Sequence, residues 1–212
     1  MKEYKVKEIF FSLAGEGIQA GRATVFVRFS GCNLWSGREE DRAQAKCQFC
    51  DTDFNEMNGL NGGRYSLSLL MNVIDNMWGD RTGRKPYVVF TGGEPSLQLD
   101  APLLRACQDS GFETGIETNG TRDLAEGIDW VCVSPKGHEP LKVNSGHELK
   151  LVYPQLGVEM DPQVFTELDF EHFFIQPLWT PKKEHWSQAI DYCLEHPKWR
   201  LSLQSHKVLG LP

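Results

Sequence analysis

The stretch GCNLWSGREEDRAQAKCQFCDTD, Gly31 to Asp53, gathers three of the chain's six cysteines. Cys47 and Cys50 form a C-x2-C pair, and Cys32 lies fifteen positions before Cys47. Thiolates at such spacing suit soft metals. A structural zinc ion takes four ligands, so zinc asks for a further donor: Asp51, Asp53 or a distant histidine. A four-iron cluster on three thiolates keeps one iron open to an external ligand, which fits three local cysteines with no fourth nearby. Three unrelated buried thiols are the plainer third reading. Ser36-Gly37-Arg38-Glu39 has the S-x-x-E form of a capping box, and Glu39 to Lys46 is rich in helix formers. A short inserted helix is therefore expected to return the chain to Cys47. Cys107, Cys132 and Cys193 lie inside apolar helix or strand patterns and read as small core residues.

Other residues able to do chemistry follow apolar runs. Tyr87–Phe90 leads into Thr91-Gly92-Gly93-Glu94-Pro95, and Phe112–Ile116 into Glu117-Thr118-Asn119-Gly120. Trp130–Val133 leads into Ser134-Pro135-Lys136, Phe173–Ile175 into Gln176-Pro177, and the first run into Ser12-Leu13-Ala14-Gly15-Glu16-Gly17. Each segment alone reads as an ordinary polar turn. Five of them in one chain point to a shared site, because active sites of barrel-like and open α/β sheets lie where strands end. Arg28 is a charge inside T-V-F-V-R-F-S-G. It is either an outward-facing strand position or a guanidinium fork for a carboxylate. Glu16, Glu117 and His206 are candidates for holding a substrate or moving protons. Thr52 on its own reads as a turn hydroxyl.

Eight runs read as strands: Tyr4–Leu13, Thr24–Phe29, Tyr87–Phe90, Phe112–Ile116, Trp130–Val133, Leu149–Tyr153, Phe173–Ile175 and Arg200–Leu203, with His206 carried on from the last. Leu67, Leu70, Met71, Ile74 and Met77 recur at helical spacing behind Ser66. Asp100 can cap a helix bearing Leu103, Leu104 and Cys107 that Gly111 ends. Trp186, Ala189, Ile190, Cys193 and Leu194 line a further helix stopped by His196-Pro197. Strand and helix alternating give an α/β fold with a mostly parallel sheet. With 212 residues, 40% of them hydrophobic, and no repeat or linker, residues 1–212 read as one domain. No apolar run approaches the roughly 20 residues of a membrane span. The N-terminus MKEYKVKEIFF reads as a first strand and not as a signal peptide. A cytoplasmic location with reduced thiols is expected. The net charge of −7 disfavours broad binding to nucleic acid or anionic membrane.

Phe49 before Cys50, together with the G-G-E-P run, resembles the radical S-adenosylmethionine superfamily. Its usual C-x3-C-x2-C motif is widened here to fourteen residues in the first gap. Within it, E-I-F-F-S-L-A-G-E-G, F-V-R-F-S-G-C-N-L, C-Q-F-C-D-T-D, T-G-G-E-P, I-E-T-N-G, S-P-K, Q-P-L and the terminal H-K-V-L-G-L-P resemble the 7-carboxy-7-deazaguanine synthases, from Glu8 to Pro212. Some members of that family carry the same long gap. One position departs: the family's L-Q-G-E-G is Leu13-Ala14-Gly15-Glu16-Gly17, and a side-chain amide is missing.

The resemblance implies a reduced radical-SAM core, a partial (β/α) barrel of about six strands. It implies ring contraction of 6-carboxy-5,6,7,8-tetrahydropterin to 7-carboxy-7-deazaguanine with loss of ammonia. Cys32, Cys47 and Cys50 would hold a [4Fe-4S] cluster and Thr52 a magnesium ion. Phe49, Cys50, Asp51, Gly93 and Glu94, with Ser134, Pro135, Lys136, Gln176, Pro177, Leu178 and Trp179, would line the S-adenosylmethionine site. Leu13, Ala14, Gly15, Glu16, Arg28, Thr91, His206 and Pro212 would meet the pterin. A homodimer and an external one-electron donor such as flavodoxin or ferredoxin complete the expectation. Two rivals stay open: a glycyl-radical activase sharing the cluster motif, and a zinc-stabilised binding module.

Overall fold

Every run named above forms a strand: β1 (Tyr4–Leu13), β2 (Ala23–Phe29), β4 (Tyr87–Gly92), β5 (Glu113–Thr118), β6 (Trp130–Val133), β7 (Ser145–Tyr153), β8 (Asp169–Pro177) and β9 (Trp199–Leu201). A further strand, β3 (Gly63–Tyr65), is three residues long and has no periodicity to betray it. The computed structural model describes residues 2–156, 160–180 and 184–212. Its strands form one sheet in the order β3-β1-β2-β4-β5-β6-β7-β8-β9. The expected count of about six strands is therefore too low: there are nine among the described residues. From β2 to β9 all neighbours run parallel, while β1 is antiparallel to both β2 and β3. β3 and β9 are the edges of an open sheet.

Helix α1 (Leu67–Trp78) starts where Ser66 Oγ accepts from the Leu69 N–H at 3.4 Å. Helix α2 (Ala101–Asp109) starts where Asp100 Oδ1 accepts from Leu103 N–H at 3.1 Å. Both caps satisfy a backbone donor that the helix leaves open. Helix α3 (Glu184–Glu195) ends before His196-Pro197. Its buried side is narrower than expected. Ala189 is fully buried and Cys193 packs on the core, but Ile190 and Leu194 face solvent. A short helix, α4 (Ser205–Leu209), replaces the expected continuation of the last strand, so His206 is helical. The insertion after Cys32 contains a 3-10 helix, Glu39–Gln44, but Ser36 does not cap it. Ser36 instead accepts from Arg38 N–H and bonds to Asp41, and Arg38 occupies the cap position.

Strand periodicity divides the sheet into two faces. Val25, Val27 and Phe29 on β2, with Val88 and Phe90 on β4, turn toward α1 and α2 and are fully buried there. Leu149 and Leu151 on β7, with Phe173 and Ile175 on β8, form a second core with Ala189 and Trp199. Burying each such side chain stabilises the fold by about 1.5–3 kcal/mol, enough to fix the register. The alternate positions, Phe26, Arg28, Val89, Thr91, Glu117, Lys150, Val152 and Gln176, are left to the opposite face and line a cavity.

Candidate functional site

That cavity has a volume of about 480 Å3, within the range of roughly 300–1,000 Å3 usual for small-molecule sites. Four groups of side chains meet around it.

The first lies toward the ends of β2 and β4. Arg28 faces the cavity, so it is not an outward strand position. Register pairs it with Glu8 on β1 and Thr91 on β4. Its Nε donates to Glu8 Oε1 at 2.7 Å, which steers the guanidinium plane. Lys7 is nearly buried and donates to Asp53 Oδ2 at 2.5 Å and Asn58 Oδ1 at 2.6 Å, tying the segment after the cysteines to β1.

The second group is a charged centre that the motifs do not announce. Lys150 is 3% exposed and reaches Glu16 Oε2 at 2.7 Å and Glu117 Oε2 at 2.9 Å. Glu148 is buried beside it, accepting from Ile18 N–H at 3.0 Å and from the Cys132 thiol at 3.5 Å. Burial alone would raise Glu16, but the Lys150 charge and hydrogen bonds from Lys150 and Gln204 hold it at about 2. Burial raises Glu117, and the nearby Glu148 and Glu16 charges add to that, against the pull of Lys150. Cys132 is buried as expected, yet its surroundings are charged and not apolar. The alternation of Glu148, Lys150 and Val152 with Leu149 and Leu151 is the signal in the sequence that would have located this centre.

The segment after β1 leaves the sheet at a different edge from the one expected. Because β1 is antiparallel to β2, Leu13 pairs with Ala23 at the start of β2. Ala14–Gly17 thus departs from the edge opposite the ends of the parallel strands, and crosses the open face. Gly17 N–H donates to Ser202 Oγ at 3.0 Å, and Ser205 N–H to Gly15 O at 2.9 Å. Gly15 lies against the imidazole so closely that a Cβ there would fall 2.1 Å from His206 Nδ1. Burial, Lys207 and Lys150 keep His206 below its ordinary pKa despite Glu16. Leu13, Ala14 and Pro212 also border the cavity.

The third group is the cysteine loop. Cys47, Phe49, Cys50, Asp51 and Thr52 line the cavity, and Cys32 borders a second recess beside Asn33 and Trp35. The thiols sense one another. Burial pushes Cys47 up to about 11, Cys50 and Cys32 add to it, and Lys136 opposes. Burial likewise raises Cys32. Among the described residues no three His, Cys, Asp or Glu side chains are grouped so as to hold a single metal ion. Lys136 Nζ donates to Ser134 Oγ at 2.7 Å and sits 5.6 Å from the centre of the Phe49 ring.

The fourth group closes the mouth. Lys207 on α4 pairs with Asp51 of the cysteine loop and lies 5.2 Å over the Trp179 ring. Gln176, Pro177, Leu178 and Gly93 complete the wall. Two expected site residues stand behind it. Pro135 is buried, its carbonyl accepting from Gln155 Nε2 at 2.9 Å. Glu94 is fully buried: Oε1 accepts from Ser96 N–H and Thr118 Oγ1, and Oε2 from Asn119 N–H. Glu94 thereby braces the end of β5 against that of β4.

A cysteine loop on a mostly parallel α/β sheet, with its cavity on the face opposite the helices, fits a radical S-adenosylmethionine enzyme. The pattern of the Radical SAM superfamily matches residues 42–152, taking in Cys47 and Cys50. The chain is 56% identical over 211 residues to the 7-carboxy-7-deazaguanine synthase of Bordetella pertussis, covering 99% of both. It is 54% identical to that of Bradyrhizobium diazoefficiens, covering 98% of this chain and 99% of the relative. A crystal structure of QueE from Escherichia coli superposes with a TM-score of 0.68 at 25% identity, covering 96% of this chain and 95% of that one. The chain belongs to the 7-carboxy-7-deazaguanine synthase family. Membership replaces both rivals, the activase and the zinc module.

Proposed function

We propose that the chain converts 6-carboxy-5,6,7,8-tetrahydropterin to 7-carboxy-7-deazaguanine with release of ammonia, a step toward queuosine. One observation carries this reading. A single cavity joins the cysteine loop to a steered guanidinium, Arg28, and to a buried acid–base centre around Lys150. Those are the parts that a carboxylated, proton-exchanging heterocycle needs beside a radical source.

The donor set fits a [4Fe-4S] cluster. Burial raises the Cys32 and Cys47 thiols, so thiolates at those two positions call for the cationic charge that iron supplies. A four-iron cluster takes one thiolate per iron and leaves one iron open, and Cys32, Cys47 and Cys50 supply three. When bound, the cluster and S-adenosylmethionine supply a 5′-deoxyadenosyl radical. Phe49, Asp51, Gly93, Ser134, Lys136 and Gln176–Trp179 would hold the nucleoside and methionine moieties. Pro135 and Glu94 would shape that wall from behind, Glu94 by holding Thr118 and Asn119 in place. The Thr52 hydroxyl would take magnesium together with waters and substrate oxygens. Arg28 would bind the pterin carboxylate through its two Nη groups, with Thr91, Leu13, Ala14 and Gly15 around the rings. Glu16, Glu117, His206 and Pro212 would meet the pyrimidinone edge. We further assign this chain the partial-barrel core, homodimeric state, cytoplasmic location and flavodoxin- or ferredoxin-type donor of its family. Anaerobic turnover of the pterin, followed as formation of 7-carboxy-7-deazaguanine, tests the reading; a reconstituted cluster with no product from this substrate would refute it.

Arg28→Lys keeps the charge but loses the planar fork and the Nε contact to Glu8. A charge-assisted hydrogen bond contributes about 1.5–3 kcal/mol, so KM for the pterin should rise roughly tenfold or more. Cleavage of S-adenosylmethionine without substrate should stay near wild type. Equal loss of both activities together with the cluster would make Arg28 structural.

Pro212 is expected to contact the substrate. Pro212 lines the cavity behind α4, and Leu211 N–H is anchored on His206 O at 2.9 Å. The fixed φ of proline limits the entropy lost in holding it at the cavity. A tag added directly after Pro212 should displace it from the cavity wall and weaken pterin binding about tenfold. An N-terminal tag should not. Anaerobic calorimetric titration of both forms checks this, and equal affinities would remove Pro212 from the substrate site.

A further inference from the structure

One ammonium, Lys150, pairs with two carboxyl groups of the cavity wall and lies near a third behind it, Glu148, and the three are not equally supplied with donors. Glu16 accepts from Lys150 at Oε2, and at Oε1 from Gln204 Nε2 at 2.9 Å and Gln176 Nε2 at 3.2 Å. Glu148 accepts from a backbone N–H and a thiol. Among the described residues Glu117 takes its one charged hydrogen bond from Lys150, and the Cys132 thiol against it has a single proton, which Glu148 also contests. Three negative charges against one positive charge do not persist in a wall with little water. One proton must be retained, and the carboxyl with the poorest donors is where it costs least. That carboxyl is also the most open to the cavity: 34% of the Glu117 side chain is exposed there, against 22% for Glu16.

We propose that Lys150 is a positioning residue that gives the two cavity carboxyls different roles. Glu16 becomes a fixed acceptor for substrate N–H groups, and Glu117 the carrier of an exchangeable proton. The assignment rests on the pterin reading above. The groups facing Glu117 are Lys150 and Glu148 from β7, Cys132 from β6, Tyr87 from β4 and Glu16 from the segment after β1, with His206 facing Glu16 from α4. The directions agree with the geometry. Glu16 is held low by Lys150 and its amide donors in spite of burial, and Glu117 is raised by burial and by Glu148 and Glu16.

The test is the pH profile of kcat under anaerobic conditions, with the carboxylated tetrahydropterin as substrate. A proton carrier must be protonated, so kcat should fall as pH rises through the Glu117 pKa. Lys150 favours the ionised form of Glu117. Lys150→Met should therefore move that limb to higher pH by about one unit or more, and Lys150→Arg should leave it near wild type. Lys150→Gln, which keeps an N–H donor, carries the comparison where the methionine variant does not fold. Glu117→Gln should lower kcat roughly 100-fold with pterin affinity within about threefold, and Glu16→Gln should instead raise KM about tenfold. A limb that stays fixed in the neutral Lys150 variants, or equal kcat and KM effects at Glu16 and Glu117, would overturn the assignment. A wild-type protein that does not turn over the pterin would count against the proposed function; an active one with a fixed limb counts against Lys150 alone.

Discussion

Replacing any one of Cys32, Cys47 or Cys50 with Ala is expected to abolish both the cluster and turnover. The reason is the count of ligands. Three thiolates with one open iron leave no spare protein ligand, so losing one uncovers a second iron to solvent. The other three cysteines are the controls, and they are not alike. Cys107 Sγ lies 3.6 Å from Met71 Sδ in an apolar core, and Cys193 on α3 packs against the second core. Their Ala variants should keep full colour and lose only packing, about 1 kcal/mol. Cys132→Ala should also keep the cluster, but it removes a donor from buried Glu148 and should cost somewhat more, about 1–3 kcal/mol. Iron and sulfide content with the visible spectrum of anaerobic protein read the first quantity, and urea unfolding reads the second. Stoichiometric zinc in a colourless protein that never accepts a cluster would refute the ligand assignment.

The residues that could be read from the sequence share a property: each interrupts a pattern. Arg28 is a charge in an apolar strand, the cysteines break a polar loop, and Gly92-Gly93 sits where a strand ends. The strands themselves are legible because burial against helices on one face fixes apolar residues at alternate positions. Lys150 and Glu148 escape notice because they continue the alternation and do not break it; their polarity looks like an ordinary solvent face until the sheet's second face is seen to be a cavity. Direction is also invisible locally. Nothing in Tyr4–Leu13 says that β1 runs against its neighbour, so the path of Ala14–Gly17 across the face follows only from pairing. The end of the chain hides for a third reason. Five helical residues are too few for a periodic signal, and α4 is stabilised by what it touches, Gly15 and Asp51, more than by propensity.

Gly93→Ala is expected to cost both the fold of the cysteine loop and the cluster it holds. A Cβ at Gly93 would stand 2.2 Å from Gly31 O, 2.6 Å from Gly31 C and 2.9 Å from Cys32 Cβ. Two of these atoms are backbone, so no side-chain rotation relieves the contact. Relief requires the β2 exit to move, and that exit is anchored by Gly93 N–H on Phe29 O at 3.3 Å and by Glu94 N–H on Gly31 O at 2.9 Å. Overpacking of this kind costs about 1–3 kcal/mol, and loss of the anchoring hydrogen bonds adds about 1 kcal/mol each. Displacing Gly31 also carries Cys32 with it, away from Cys47 and Cys50. Gly31→Ala separates this collision from simple backbone strain. Gly31 has φ +92 but open space where a Cβ would stand, so only the conformational penalty applies, about 1–3 kcal/mol. Iron content after anaerobic reconstitution should therefore be near zero for Gly93→Ala and close to wild type for Gly31→Ala, even where the two lose comparable stability to urea. If Gly93→Ala binds iron as wild type does, the close approach of the glycine loop is not what sets the position of Cys32.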